Sequence, residues 1–163
     1  MNRSLVEHAF APVYDSQSRV LLLGTMPSPQ SVKHGFYYSH PQNRFWRLLA
    51  ALYGEDVPCT VEEKRALVLR HGLALWDVLA RCEIAGASDA SIRHGVPNDI
   101  AWLLREAPIE RIYTTGKTAY SLFQKLIAPT LGRDAIYLPS TSPANQALFP
   151  WDKLLAAWHC LTR

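Results

Sequence analysis

The run Arg19-Val20-Leu21-Leu22-Leu23, closed by Gly24-Thr25-Met26-Pro27-Ser28, constrains this chain more than any other feature. Unbroken aliphatic residues without polar alternation describe a strand buried on both faces, as in parallel sheets covered by helices. A glycine, a threonine and a proline directly after the run force a tight turn at the strand's carboxyl end. Ligands of α/β sheets bind at that end. After a short loop comes Tyr37-Tyr38-Ser39-His40-Pro41-Gln42-Asn43-Arg44-Phe45-Trp46. Its flat rings can stack on a heterocycle and its carboxamide can hydrogen-bond one, which suits a nucleobase better than a sugar or a fatty acid.

The remaining chain alternates between strand and helix signals. Pro41 suits the first turn of a helix whose apolar positions (Phe45, Trp46, Leu48, Leu49, Leu52 and Tyr53) recur at helical spacing until Gly54, which places Asn43 in that first turn. Thr60-Val61-Glu62-Glu63 is a capping box, opening a helix that runs to about His71 and stops at Gly72. Leu73-Ala74-Leu75-Trp76 reads as a second buried strand ending at Asp77. A polar stretch through Gly86-Ala87-Ser88-Asp89 leads to a helix over residues 98–107, closed by Pro108. Strands are expected over 109–115 and 135–138, and helices over 117–128 and 151–161. Trp102 and Trp158 fall at core spacing. This pattern predicts an α/β fold, a parallel sheet with helices on both faces joined by right-handed crossovers, in one domain spanning residues 1–163.

Composition excludes several classes. Cys59, Cys82 and Cys160 lie far apart without metal-ligand spacing, so neither a zinc knuckle nor an iron–sulfur cluster is supported, and an odd count argues against a disulfide framework. The amino-terminal residues hold no long apolar region, and no stretch approaches the roughly 20 apolar residues of a membrane span. A cytoplasmic location with reduced thiols is therefore expected. The net charge of +3 is compatible with a polyanionic partner, but there is no Lys/Arg block, so binding to nucleic acid would use a local basic surface.

Taken together, G-T-M-P-S, Y-Y-S-H-P-Q-N-R-F-W, L-W-D-V, T-T-G-K-T-A-Y and S-T-S-P-A-N resemble the hypoxanthine-DNA glycosylase branch of the uracil-DNA glycosylase superfamily, over about residues 19–145. The resemblance implies a three-layer α/β/α fold around a central four-stranded parallel sheet. It implies excision of a deaminated base from DNA without metal or organic cofactor, and a monomer is expected. Most branches carry an acidic or carboxamide side chain in the first turn. Here Thr25 and Met26 stand there, and neither acts as a general base at neutral pH. The resemblance moves the catalytic role to Asn43, whose carboxamide can hold a water or bind base and sugar but cannot abstract a proton. From the residues alone, Asn43 reads equally well as a cap of its own helix turn.

The base-binding set expected from these motifs is Gly24, Thr25, Met26, Pro27, Ser28, Tyr37, Tyr38 and Asp77. Backbone amides of residues 25–28 would supply donors to a departing base. Of Phe36, Tyr37 and Tyr38 at least one belongs to the core, and Tyr38 is the preferred pocket residue. Asp77 stands where uracil-specific relatives carry an Asn that reads the base edge. An Asp can accept a ring N–H of hypoxanthine or uracil, or serve as an N-cap. The DNA-binding set is His40, Lys117, Ser140, Thr141, Ser142, Pro143 and Asn145. His40 is either a phosphate contact or a cap. Ala144 is too small to wedge open a duplex, which leaves Asn145, Gln146 or Leu148 for that role. Gly116-Lys117-Thr118 imitates a P-loop, but Arg111 stands where its first glycine belongs. Lys33 and Lys117 lie only at the edges of the motif loops, so no lyase nicking is expected. The rival reading is a binding module that kept the pocket without the catalysis.

Overall fold

Val20–Gly24 forms β2, and all of its residues are buried. The computed structural model describes residues 4–8, 10–85 and 91–163; the polar stretch at 86–89, with Asp89, lies outside the described residues. On either side of β2 run β3 (Leu73–Asp77) and β6 (Arg111–Thr115), both parallel to it, and β7 (Ile136–Leu138) pairs with β6. The sheet order is β3-β2-β6-β7, the expected four-stranded parallel sheet.

The chain steps from β2 to β3 in one direction and from β6 to β7 in the other. Right-handed crossovers then put the helices of the first connection on one face and α5 (Lys117–Leu126) on the opposite face. The first connection carries α1 (Pro29–His34), α2 (Phe45–Tyr53) and α3 (Val61–Arg70). The terminal α7 (Trp151–Trp158) meets α2, with Trp158 edge-on to Phe45 at 6.0 Å. The capping box of α3 is complete, with reciprocal bonds of 3.1 Å between Thr60 and Glu63. Trp158 is fully buried as expected, whereas Trp102 is only partly so and leans edge-on against Trp76.

Several expectations need correcting. Asn43 is not in a helical first turn: α2 starts at Phe45 with Arg44 as its N-cap, and residues 41 and 42 form a separate turn. Asn98 is also outside its helix. Asp99 caps α4 (Ile100–Glu106), while the Asn98 amide donates to the Asp77 and Leu79 carbonyls at 2.9 and 3.1 Å. The helix expected over 117–128 breaks near Ile127 into α5 and a short α6 (Ala128–Leu131), because Pro129 has no N–H to continue the ladder. α1 was not foreseen, nor was an antiparallel sheet of β1 (Ser4–Glu7), β4 (Leu79–Ile84) and β5 (Arg93–Pro97), order β1-β4-β5. Gly95 and Pro97 are poor strand residues, and register shifts interrupt the β4–β5 pairing, so long-range pairing overrides local propensity here.

Away from the sheet's carboxyl edge, Glu55 joins the exit of α2 to the end of α3. Its carboxylate accepts from Arg70 and His71, and the His71 ring stacks on Tyr53 at 3.9 Å. Those hydrogen bonds, Arg70 first and His71 second, hold the Glu55 carboxyl down at about 2 against an ordinary 4.5. A folded-state value below the unfolded one contributes stability that is present above pH 4.5 and lost as pH falls toward 2. The stability gap between wild type and Glu55→Gln should therefore close across that window in urea titrations. A gap that stays constant would refute the assignment.

Candidate active site

Parallel register carries one residue from each strand to the carboxyl edge of the sheet: Asp77 beside Gly24, Thr115 next along, then Leu138. Gly24 makes a dent in this row. A Cβ built there would lie 2.6 Å from Asp77 Oδ1, 3.1 Å from Tyr38 Oη and 3.7 Å from Thr115 Oγ1, so three polar atoms converge over the missing side chain. The turn beyond is fastened by Val78 N–H to the Gly24 carbonyl at 2.8 Å and Leu79 N–H to the Thr25 carbonyl at 3.2 Å.

The Asp77 carboxylate is nearly sealed from solvent, and its two oxygens have different roles. Oδ2 is 2.7 Å from His8 Nε2, and the Phe10 N–H donates to His8 Nδ1 at 3.2 Å. A backbone N–H can only donate, so Nδ1 is the bare nitrogen and the His8 proton sits on Nε2, facing the carboxylate. Oδ1 is left toward Gly24. No sequence signal pointed to His8: it is a single histidine in the amino-terminal segment, and only folding brings it to residue 77.

Tyr38 borders the dent. Its backbone is left-handed, with φ 52°, a conformation that costs a bulky residue roughly 1–3 kcal/mol and persists only where surroundings impose it. One face of its ring stacks on Phe45 at 3.9 Å, and its hydroxyl lies 3.4 Å from Thr115 Oγ1. Burial, and then the nearby Asp77 charge, push the phenol's pKa up, so it stays protonated. Tyr37 and Phe36 prove to be core. Tyr37 is 2% exposed and its hydroxyl donates to the Ala11 carbonyl at 2.9 Å, which takes it out of direct reach of a ligand.

Asn43 stands beside the same stack. Its Oδ1 accepts the Phe45 N–H at 2.9 Å and the Thr141 hydroxyl at 2.7 Å. Asn43 thus satisfies the first N–H of α2 from outside the helix. In the first turn, Thr25 is buried, Pro27 has no N–H, and the Ser28 hydroxyl caps α1 by accepting from Ser31 N. Only Met26 and Ser28 in the 26–28 stretch keep an N–H without a hydrogen bond to a described residue.

The loop after β7 faces this group. Ser140 Oγ accepts from Ser142 N at 3.1 Å and Ser142 Oγ from Ala144 N at 3.2 Å, so each hydroxyl is satisfied as an acceptor while its own proton makes no hydrogen bond to a described residue. Thr141 differs, being 2% exposed with its proton spent on Asn43. Pro143 starts a short 3-10 turn, and Asn145 folds back onto the Ser140 carbonyl at 3.0 Å, which leaves Leu148, 65% exposed, as the large apolar side chain of the segment. His40 Nδ1 accepts from Gln42 N at 3.1 Å in the turn before Asn43, and Lys117 is exposed at the start of α5. Arg44, unforeseen, is buried. Its Nη1 donates to the Phe149 carbonyl at 2.6 Å, and burial lowers its pKa. Among the described residues no group of three or more His, Cys, Asp or Glu could hold a metal ion.

These groups gather at the carboxyl edge of a parallel sheet, the place where α/β proteins bind their ligands. The profile of the uracil DNA glycosylase superfamily matches residues 11–161, and the chain belongs to that superfamily. It is 30% identical over 143 residues to the hypoxanthine DNA glycosylase of Methanosarcina acetivorans, covering 87% of this chain and 90% of that one. It is 32% identical over 142 residues to the enzyme of the same name from Methanosarcina barkeri, covering 86% and 89%. A solution NMR structure of a candidate uracil DNA glycosylase from Methanosarcina acetivorans superposes with a TM-score of 0.80 at 27% identity, over 98% of this chain and 100% of that one. His8 lies ahead of the matched segment.

Gly24→Ala should lower stability by about 1–3 kcal/mol, because the added methyl must displace a carboxylate that His8 holds in place. Denaturant titration reads the loss, and a neutral substitution would show that the dent has slack.

Proposed function

We propose that this protein is a monofunctional DNA glycosylase that hydrolyses the N-glycosidic bond of deoxyinosine, releasing hypoxanthine and leaving an abasic site, with uracil as a second substrate. The observation that carries the reading is the gathering of Asp77 Oδ1, the Tyr38 hydroxyl and Thr115 Oγ1 over Gly24, with the Tyr38 ring stacked on Phe45, whose own N–H donates to the Asn43 carboxamide. Hypoxanthine and uracil each present a ring N–H beside a carbonyl, which Asp77 Oδ1 can accept. Adenine has a bare acceptor at the equivalent nitrogen and would meet the carboxylate with repulsion. Tyr38 is the ring on which the extruded base stacks in this reading, a contact that contributes roughly 1–3 kcal/mol.

The C1′–N bond breaks with its electron pair going to the base and positive charge spreading onto the sugar. Water then adds at C1′ and loses a proton, and the departed base anion takes up one through solvent to leave as neutral hypoxanthine. Thr25 and Met26 offer no base, so the residues here act by holding donors toward the base and phosphates close to the cation. The Met26 and Ser28 amides and Asn43 fit the first task, and the protons of Ser140 and Ser142, with His40 and Lys117 at the margin, fit the second. Leu148 is the wedge that fills the gap in the duplex. The protein works as a single-domain monomer in the cytoplasm. An exposed thiol at Cys59 suits a reducing compartment, and among the described residues no helix is long and apolar enough to cross a membrane.

The test is base release from duplex oligonucleotides with a single deoxyinosine, deoxyuridine or deoxyadenosine, followed by cleavage of abasic sites. Deoxyinosine should be processed, deoxyadenosine spared, and no strand nicked without added base. Asn43→Ala should lower single-turnover rate by about 10²–10³-fold, as for other single donors aimed at a developing charge. Leu148→Ala should slow duplex substrates about tenfold and leave single strands unaffected, since the wedge offsets part of the few kcal/mol of unstacking. No abasic product from any of the three would leave only the binding-module reading.

A further inference from the structure

The carbonyl oxygen of an amide has two lone pairs, and both of those on Asn43 are taken. One accepts the Phe45 N–H at 2.9 Å and the other the Thr141 hydroxyl at 2.7 Å. The direction of both bonds is forced. A backbone N–H cannot accept, so the Asn43 atom facing it must be oxygen, and the Thr141 hydroxyl facing that oxygen must donate. Flipping the carboxamide would set its NH2 against the Phe45 N–H. Thr141 is itself fixed: it is 2% exposed, and its carbonyl accepts the Arg44 N–H at 3.2 Å. Thr141 therefore meets the residue 43–44 segment at two points, one through the side chain and one through the backbone. What remains of Asn43 is Nδ2, which makes no hydrogen bond to a described residue.

We propose that Thr141 is a positioning residue that locks Asn43 as a pure hydrogen-bond donor, with its NH2 group turned to the substrate and its oxygen withdrawn from water. This rests on the glycosylase reading and sharpens it. An Asn43 held this way cannot accept a proton from the attacking water. It can donate to a lone pair of the departing base, or to the oxygen of a water whose protons point elsewhere. The loop residue that sequence position groups with the phosphate contacts thus acts through Asn43, while Ser140 and Ser142 on either side keep their protons for the backbone of the DNA.

Three variants separate the roles. Thr141→Val removes the hydroxyl at nearly constant volume and should slow single-turnover release of hypoxanthine by about 100-fold, the order expected for a displaced reacting group, with the Kd for DNA and its salt dependence unchanged. Thr141→Ser restores the hydroxyl and should restore the rate. Asn43→Asp keeps an acceptor for Phe45 N–H and replaces the NH2 by a second oxygen. It should be as inactive as Asn43→Ala if Asn43 donates, and active if Asn43 serves by accepting from water. Hydrogen exchange at the Phe45 amide reads the lock without DNA: it should quicken in Thr141→Val and return to the wild-type rate in Thr141→Ser. An unchanged rate in Thr141→Val, a weaker Kd with a shallower salt slope, or an active Asn43→Asp would each overturn the proposal. If wild type itself releases no hypoxanthine, the glycosylase reading fails, and the exchange pattern still decides whether the lock exists.

Discussion

The architecture hangs on strand β2 and on the absence of a side chain at its end. Because Val20–Gly24 is buried and paired on both edges in parallel register, the residues level with Gly24 on its neighbours, Asp77 and Thr115, are delivered to one edge without any loop having to place them. A methyl group at residue 24 would lie 2.6 Å from the Asp77 carboxylate. The dent is therefore as rigid as the sheet around it, and a site built on strand ends is held more tightly than one built on loops.

Four of the polar groups there are satisfied on one side and open on the other. Asp77 gives one oxygen to His8 and keeps the other, Asn43 gives its oxygen to Phe45 and Thr141 and keeps its NH2, and Ser140 and Ser142 accept from their own loop and keep their protons. Satisfying half of each group locally fixes its orientation before a ligand arrives. Preorganised donors and acceptors of this kind need little rearrangement when charge develops, which fits the proposed departure of a base from a site without an acidic residue in its first turn. The left-handed backbone at Tyr38 belongs to the same economy, as local strain is held by the Phe45 stack and the surrounding core.

Much of this was legible from residue order. The apolar runs at 20–23 and 73–76, the capping box at Thr60 and Glu63, and the turn glycines mark elements whose local chemistry and burial agree, so the four parallel strands and their order of helices followed from periodicity. The antiparallel sheet did not, because Arg93–Pro97 contains Gly95 and Pro97 and is a strand only by virtue of β4 beside it. Likewise the helix expected to include Asn43 begins two residues later, since the Asn43 side chain itself takes the Phe45 N–H.

Residue order was enough for the parallel sheet, the turn at its carboxyl edge and the residue types available there, because hydrophobic period and turn chemistry act over a few neighbouring positions. Which way those residues face came from long-range packing. It brought His8 across 69 positions to Asp77 and Thr141 across 98 to Asn43, moved Tyr37 into the core, and set the Tyr38 hydroxyl over Gly24. Hydrogen-bond direction is a property of two partners, and here the partners are distant in the chain, so no reading of either segment alone contains it.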